Sequence, residues 1–259
     1  MQGKESVDPY RDFSEFYDTY VGERLEDLPF YLQQAKSANT PVLEIGAGSG
    51  RLTVPLAREG ASLVAVDISP SMLTKLRSRL EREPDVVQRR VEIVNADACR
   101  LDLARQFDLT IVPFYTFNYF LAPEDQTGML NRMAAHLRSP GRMLIDVFIP
   151  LTLLENCPTK PILKVDRIDP ETGNRIRCWN TYTFDQERQL EIRCHVFEIV
   201  RSDGSVQKRE FATRRRYWFL EQLSELFRRH GFGIDRICVG YAGEPADERS
   251  EQLMYTLRR

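Results

Sequence analysis

The stretch Val42–Leu52, VLEIGAGSGRL, decides the fold of this 259-residue chain. It begins as the apolar strand Val42–Ile45, turns through three glycines and enters a helix predicted over Arg51–Arg58. A strand that ends in glycines and feeds a helix brings backbone N–H groups and a positive helix terminus to the carboxyl edge of a sheet. The stretch therefore predicts a site for an anionic or nucleotide-like ligand.

Three kinds of ligand compete for this turn. A triphosphate loop needs G-x-x-x-x-G-K-[ST], which fails because Arg51 follows Gly50 directly. A dinucleotide turn needs G-x-G-x-x-G, and Gly46 and Gly48 fit it, but Arg51 stands where the third glycine belongs. S-adenosylmethionine carries no phosphate, and its sulfonium amino-acid tail suits an acidic neighbour. Glu44 inside the motif would repel a pyrophosphate, so it favours S-adenosylmethionine.

The rest of the first 150 residues alternates strands with helices. A helix opening at Pro70 with Ser69 as its N-cap carries an apolar stripe, and a further helix is predicted from Pro123 to Leu137. Apolar strands are predicted at 62–67, 91–97, 107–114 and 142–148. This alternation predicts an α/β fold with a doubly wound, mostly parallel sheet built from right-handed crossovers.

The pattern changes after Pro150. Residues 176–215 read as about three antiparallel strands with a hairpin turn at 202–205, and Glu191, Arg193 and His195 share the polar face of one strand. A helix over 219–230 and a closing hairpin of strands 234–241 and 251–259 follow, which gives a seven-stranded sheet. The predicted divisions are an N-terminal helical cap (1–40), an α/β core (41–150), an antiparallel β insertion (151–216) that covers the substrate or builds a dimer contact, and a C-terminal part of the core (217–259).

Composition narrows the partners. Hydrophobic residues make up 42% and charged residues 29% of the chain, and the formal net charge is −2. Nothing in this balance favours nucleic acid or an anionic membrane. Five cysteines without a C-x-x-C pair predict neither a disulfide framework nor a zinc site, and together with the missing signal peptide they favour the cytoplasm. We expect a monomer or a homodimer.

Several motifs together resemble the class I S-adenosylmethionine-dependent methyltransferases. VLEIGAGSGRLTVPLA is similar to the first motif of that family, LVAVD followed by DISPSML to the second, and NADACRLDL to the third. FDLTIVPFYTFNYF is similar to the fourth motif and HLRSPGRMLIDVF to the segment before and along strand five. The resemblance spans nearly the whole chain, and it implies a Rossmann-like fold with S-adenosylmethionine as cofactor and S-adenosylhomocysteine as product.

The resemblance implies roles for particular residues. Asp67 would hold both ribose hydroxyls, Asp97 would meet the adenine amino group, and Ala98 a ring nitrogen. The cofactor set it implies is Tyr17, Glu44, Gly46, Ala47, Gly48, Gly50, Asp67, Ile68, Met72, Asp97, Ala98 and Pro113. The acceptor set is Tyr20, Phe114, Tyr115, Asn118, Tyr119 and Asp146.

A methyl group on a sulfonium is already electrophilic, so alignment and exclusion of water are the main tasks, and no obligatory triad or metal is expected. An amine acceptor needs no base, whereas a hydroxyl acceptor usually does. The candidates for a catalytic side chain are His195, Tyr119 and Tyr20. Val112–Tyr115 lacks the leading polar residue of the [DN]-P-P-[YF] motif of DNA and protein-amide methyltransferases.

The expected function is methyl transfer to the N or O atom of a small molecule by in-line displacement. The antiparallel insertion is similar to that of sugar-amine N-methyltransferases and related natural-product enzymes. Its basic residues, Lys208, Arg209 and Arg214–Arg216, form either a solvated strand edge or a site for an anionic substrate. A nicotinamide-dependent oxidoreductase and a non-catalytic S-adenosylmethionine-binding protein remain alternatives.

Overall fold

The structure is a computed structural model that describes residues 10–22, 24–169 and 172–259. The predicted cap therefore lies partly outside the described residues, at 1–9 and 23. Within the described ranges, no helix combines the length and the apolar character needed to cross a membrane.

The helices follow the predicted order. They are α1 (Arg11–Val21), α2 (Leu28–Ala35), α3 (Thr53–Arg58), α4 (Pro70–Leu80), α5 (Asp85–Gln88), α6 (Pro123–His136), α7 (Leu151–Glu155) and α8 (Leu220–Arg229), with a 3₁₀ turn at Thr116–Tyr119. Ser69 caps α4 as predicted, because its hydroxyl accepts a hydrogen bond from the Met72 N–H at 3.2 Å. Helix α3 begins two residues later than predicted.

The strands form two sheets. They are β1 (Val42–Ile45), β2 (Leu63–Asp67), β3 (Val91–Asn95), β4 (Phe107–Val112), β5 (Leu137–Phe148), β6 (Ile162–Ile168), β7 (Arg175–Asp185), β8 (Leu190–Val200), β9 (Val206–Arg216), β10 (Gly233–Val239), β11 (Glu244–Pro245) and β12 (Gln252–Arg258). The large sheet has the order β11-β10-β12-β5-β4-β1-β2-β3, and the small sheet the order β6-β7-β8-β9.

The large sheet confirms the predicted α/β class. Strands β5, β4, β1, β2 and β3 pair in parallel, and β12 lies antiparallel between β5 and β10. The seven predicted strands are present, and the two-residue β11 adds an eighth at the edge. Strands β1 and β2 are buried along their whole length, which explains why they read as apolar runs.

Helices cover both faces of this sheet, and strand alternation decides which side chains meet which helix. Leu43 and Ile45 pack in the cluster that contains α6 and α8 residues. Val42 packs in the opposite cluster with Leu56 of α3. Glu44 alternates with Ile45 and therefore points to the α3 side of the sheet.

The small sheet corrects two expectations. It has four strands, because β6 precedes the region that the sequence marked as antiparallel. The polar face of β8 is also the covered face: Glu191 and His195 are each 1% exposed, whereas Cys194 on the other face is half-buried. The reason is α1, whose Phe13 and Phe16 pack on this face with Phe197.

Candidate active site

A cavity of about 960 Å³ lies where the two sheets approach each other. Its floor is the carboxyl edge of β1 to β5, where ligands bind in open α/β folds. Helix α1 and the covered face of the small sheet form its other walls, with side chains that include Tyr17, Tyr182 and Arg193. The volume suits a cofactor together with a small second ligand.

The glycine turn reaches this cavity with its backbone. Gly46 has φ +78°, and a Cβ at this position would lie 2.5 Å from both Cγ2 and Oγ1 of Thr116. Gly48 has φ +57° and donates its N–H to Oδ2 of Asp67 at 2.8 Å. Only glycine fits at position 46, because its φ is positive and a side chain there would clash with Thr116.

Acidic side chains end two neighbouring strands at the cavity. Asp67 is 9% exposed, and its Oδ1 accepts the N–H of Ser69 at 2.8 Å while Oδ2 accepts that of Gly48. Asp97 follows β3, and its Oδ1 accepts the N–H of Cys99 at 2.9 Å. These backbone bonds fix both carboxylates at the edge of the sheet, where they can accept from hydroxyl or amino groups.

The turn after β4 is strained. Phe114 and Tyr115 have φ +54° and +62°, a conformation that bulky residues rarely adopt. The Tyr115 N–H donates to Oδ1 of Asp146 at 2.8 Å, and the Tyr241 hydroxyl donates to Oδ2 of the same carboxylate. Asp146 is 1% exposed and thus supports the turn through its hydrogen bond with the Tyr115 N–H. No sequence signal marks this turn, because neither residue is glycine or asparagine.

An ion pair joins the glycine turn to the N-terminal segment. Arg51 donates to Oδ1 and Oδ2 of Asp27 at 2.8 and 2.5 Å, and its guanidinium carbon lies 4.4 Å from the centre of the Phe114 ring. Asp18 of α1 accepts the Ser49 hydroxyl at 2.6 Å and pairs with Arg79 at 2.8 Å. These contacts fasten the cap over the cavity, and sequence reasoning missed them because the partners lie far apart in the chain.

Glu44 lies away from the cavity. Its side chain is 1% exposed, and Oε2 accepts the Thr53 hydroxyl of α3 at 2.7 Å. Burial raises its pKa to about 7, although the Thr53 hydrogen bond and Arg51 oppose the shift. The geometry gives Glu44 a contact between β1 and α3 in place of the expected contact with the amino-acid tail.

His195 is also enclosed. It is 1% exposed, its Nε2 lies 2.9 Å from Oγ1 of Thr213, and its Nδ1 has no partner among the described residues. Its ring stacks with those of Phe13 and Phe211, each at a centroid distance of 5.3 Å. Burial, with Arg193 and Arg215 nearby, lowers the pKa of His195 to about 3. The ring is therefore neutral near pH 7.

The structure brings most of the expected residues to the cavity. Those of the expected cofactor set that border it are Tyr17, Gly46, Gly48, Asp67, Ile68, Met72, Asp97 and Ala98. Those of the expected acceptor set are Tyr20, Phe114, Tyr115 and Tyr119. The residues that do not border it are Glu44, Ala47, Gly50, Pro113, Asn118, Asp146 and His195.

Two of these residues support the site without touching it. A Cβ on Gly50 would lie 2.4 Å from Cδ1 of Leu76, so Gly50 permits α4 to pack on the turn. Asn118 is 2% exposed and donates to the carbonyl oxygens of Phe148 and Arg216 at 2.9 and 2.7 Å. It thereby ties the turn after β4 to the end of β9.

Comparison with known proteins agrees with this geometry. The family described as "Methyltransferase domain" matches residues 42–141. The Cypemycin N-terminal methyltransferase of Streptomyces sp. is 26% identical over 84% of this chain and 82% of its own.

Two solved structures share the fold. The CcbJ methyltransferase from Streptomyces caelestis has a TM-score of 0.79 at 22% identity, over 96% of this chain and 97% of its own. CalS10 from Micromonospora echinaspora is an amino pentose methyltransferase solved with S-adenosylmethionine bound. It has a TM-score of 0.73 at 15% identity, over 99% of this chain and 100% of its own.

Residues 42–141 therefore match a methyltransferase domain, the chain has a Rossmann-like fold, and the comparisons together support a methyltransferase. S-adenosylmethionine is the molecule bound in the CalS10 structure. The residues present fit that group, because two carboxylates held by backbone hydrogen bonds lie at the ends of adjoining strands, where they can accept from hydroxyl and amino groups.

Proposed function

We propose that this protein transfers a methyl group from S-adenosylmethionine to an amino group of a small molecule held in the cavity. The observation that carries the proposal is where groups able to accept a proton lie along the walls of the cavity. Bound S-adenosylmethionine supplies a methyl group already activated by a sulfonium. The protein has to hold the two partners in line and keep water out.

The cofactor end of the cavity is its acidic end. Asp67 would accept from the ribose hydroxyls and Asp97 from the adenine amino group, with Ile68, Met72 and Ala98 packing on the adenosine. Gly46, Gly48 and Tyr17 would contact the amino-acid tail. These assignments are supported by the cavity lining, which includes all eight of these residues.

The acceptor end offers hydroxyl groups in place of bases. Tyr20, Tyr115 and Tyr119 border it, and burial raises the pKa of Tyr20 and Tyr115. Tyrosines of this kind stay protonated near pH 7 and can orient a ligand, but they accept a proton poorly. An amine that arrives unprotonated needs no such base, whereas a hydroxyl would.

His195 is a poor substitute for that base. Its only described side-chain hydrogen bond to a residue of the cavity wall is with the Thr213 hydroxyl. With a pKa lowered to about 3, its imidazole would lose a relayed proton at once at neutral pH. The surroundings of His195 therefore favour an amine acceptor over an alcohol.

The names of relatives point the same way. The Streptomyces relative is called an N-terminal methyltransferase, and CalS10 an amino pentose methyltransferase. Both names specify a nitrogen-bearing acceptor. The small sheet, which supplies the wall opposite the strand ends, would cover such an acceptor and exclude water.

The test is release of S-adenosylhomocysteine from the full chain with a panel of small primary and secondary amines and the matched alcohols, with products identified by mass spectrometry. We expect turnover with amines, rising with pH as the acceptor loses its proton. Turnover confined to alcohols would overturn the amine assignment. Absence of thermal stabilisation by S-adenosylmethionine or S-adenosylhomocysteine would contradict cofactor use itself.

A further inference from the structure

The acidic and the basic side chains that border the cavity lie in different parts of it. Its described carboxylates, Asp67, Asp97 and Asp125, lie along the edge formed by β2, β3 and the start of α6. Its other walls hold five cations: the exposed Arg24 after α1, Lys164 of β6 and Arg214 of β9, and the more buried Arg193 of β8 and Arg215 of β9. Arg214 belongs to the outer face of β9, and we call the other four residues the cationic wall. The separation indicates that the two ends of the cavity receive ligand groups of different charge.

Only part of this positive charge is neutralised. Glu191 is 1% exposed and accepts from Arg193 at 2.7 Å and from Arg215 at 2.7 Å. One carboxylate therefore serves two guanidinium groups. Neither Arg24 nor Lys164 pairs with a carboxylate among the described residues, so the wall and Glu191 together carry a net charge of about +3.

The cations are held close to the aromatic lining of the cavity. The guanidinium carbon of Arg193 lies 5.1 Å, and the Lys164 amine 5.9 Å, from the centre of the Tyr182 ring. Arg215 lies 5.3 Å from the Phe148 ring. Burial and the Asp146 carboxylate raise the pKa of Tyr115, and the guanidinium groups of Arg215 and Arg24 oppose that shift.

Register separates these residues from the rest of the basic insertion. Arg215 pairs with Glu191 and lies on the covered face of the small sheet. Lys208 pairs with Glu198 at 3.0 Å, its side chain is 67% exposed, and it does not border the cavity. Of the two sequence-based alternatives, a solvated edge therefore fits Lys208, and an anion site fits Arg215.

We infer that the acceptor carries an anionic group, a carboxylate or a phosphate, that binds at the cationic wall. Uncompensated cations in a partly enclosed cavity favour a negative ligand, and guanidinium groups bind both anions through charge-assisted hydrogen bonds. This inference rests on the proposed function, since it assigns the anion to the methyl acceptor. The amine would then face the strand ends while the anionic group is held at the opposite wall.

The test uses the full chain saturated with S-adenosylhomocysteine, titrated by calorimetry with inorganic phosphate and with benzoate at constant ionic strength. We expect saturable binding of at least one anion, weakened about tenfold in Lys164→Ala and in Arg24→Ala. Lys208→Ala, which removes a lysine on the outer face of the same sheet, should bind like the wild type. The tighter of the two anions identifies the group on the acceptor.

Three results would overturn the inference: no saturable binding of either anion, unchanged affinity in both Lys164→Ala and Arg24→Ala, or an equal loss in Lys208→Ala. Stabilisation by S-adenosylhomocysteine is measured in the same samples. If that stabilisation is absent, the proposed function fails. The anion titration, repeated without it, still decides whether the wall binds anions.

Discussion

The Arg51 guanidinium forms a two-pronged ion pair with the Asp27 carboxylate, at 2.8 and 2.5 Å, with side chains only 10% and 3% exposed. Arg51 occupies the position where a dinucleotide-binding turn would have its third glycine. In this protein the position clamps the N-terminal segment to the turn that borders the cavity. The departure from the dinucleotide pattern therefore has a structural purpose.

Removal of Arg51 should be costly. Arg51→Ala leaves the Asp27 charge buried without its partner, so we expect the free energy of unfolding to fall by about 3 kcal/mol. The double variant with Asp27→Ala should lose less than the sum of the single changes. Arg58→Ala is the control, because Arg58 is 57% exposed and pairs with Glu83, and should cost below about 1 kcal/mol. If urea denaturation showed equally small losses of unfolding free energy for Arg51→Ala and Arg58→Ala, the stabilising role of the Arg51–Asp27 ion pair would be contradicted.

Gly46 should tolerate no side chain. Gly46→Ala places a Cβ 2.5 Å from Thr116 in addition to the strain of its φ of +78°. Gly60→Ala meets the same kind of strain at φ +100° but no atom within 4 Å. We expect the control to cost about 1–2 kcal/mol and Gly46→Ala to cost about 1–3 kcal/mol more, with loss of S-adenosylhomocysteine binding. Similar melting temperatures for both variants would refute the close approach.

Asp67 should govern cofactor affinity. Asp67→Asn keeps the size of the side chain but removes its charge, so we expect S-adenosylhomocysteine to bind about tenfold more weakly or worse in calorimetry. Asp85→Asn removes a charge from an 85% exposed side chain on α5 and should leave the affinity unchanged. Wild-type affinity in Asp67→Asn would refute its assignment to the ribose hydroxyls.

Glu44 should make stability depend on pH. Its pKa is raised from 4.5 to about 7, so the folded state holds a proton that the unfolded state releases between these values. The stability that the protonated Glu44 carboxyl contributes is fully present below about pH 4.5 and is lost as the pH rises through 7. The free energy of unfolding of Glu44→Gln, taken relative to that of the wild type, should therefore rise by roughly 2 kcal/mol between pH 5 and pH 8. A constant difference in urea denaturation across this range would contradict the buried carboxyl.

His195 should be dispensable for the chemistry. His195→Phe replaces a ring that already stacks with Phe13 and Phe211 and removes an Nδ1 atom that has no described partner. We expect stability to change by less than about 1 kcal/mol and methyl transfer to persist within a few-fold. A hundredfold loss of kcat with an unchanged fold would show that His195 acts as a base after all.

Much of the fold could be predicted from the sequence, because it depends on interactions between residues that are close together in the chain. The apolar runs at β1, β2 and β4 lie in the centre of a parallel sheet, and Ser69–Pro70 begins α4 as expected. Strand β6 was missed because most of its residues are exposed and its sequence, ILKVDRI, mixes apolar and charged residues. Its place in the sheet comes from pairing with β7, which is a non-local contact.

The candidate site divides in the same way. The sequence indicated Asp67 and Asp97, since residues that end neighbouring parallel strands must meet at one edge. It misplaced His195 and Glu44, because alternation along a strand says that two faces differ but not which face another element covers. Helix α1 decides that for β8, and α3 decides it for β1.

The sequence by itself determined the α/β class, the glycine turn and the two strand-end carboxylates, because strand periodicity, turn chemistry and parallel crossovers are local rules. Only the tertiary structure decided that Arg51 pairs with Asp27, that Asp146 supports the strained turn at Tyr115, and that Arg215 and Lys164 border the same cavity. These relationships join residues tens of positions apart, and packing alone brings such residues together.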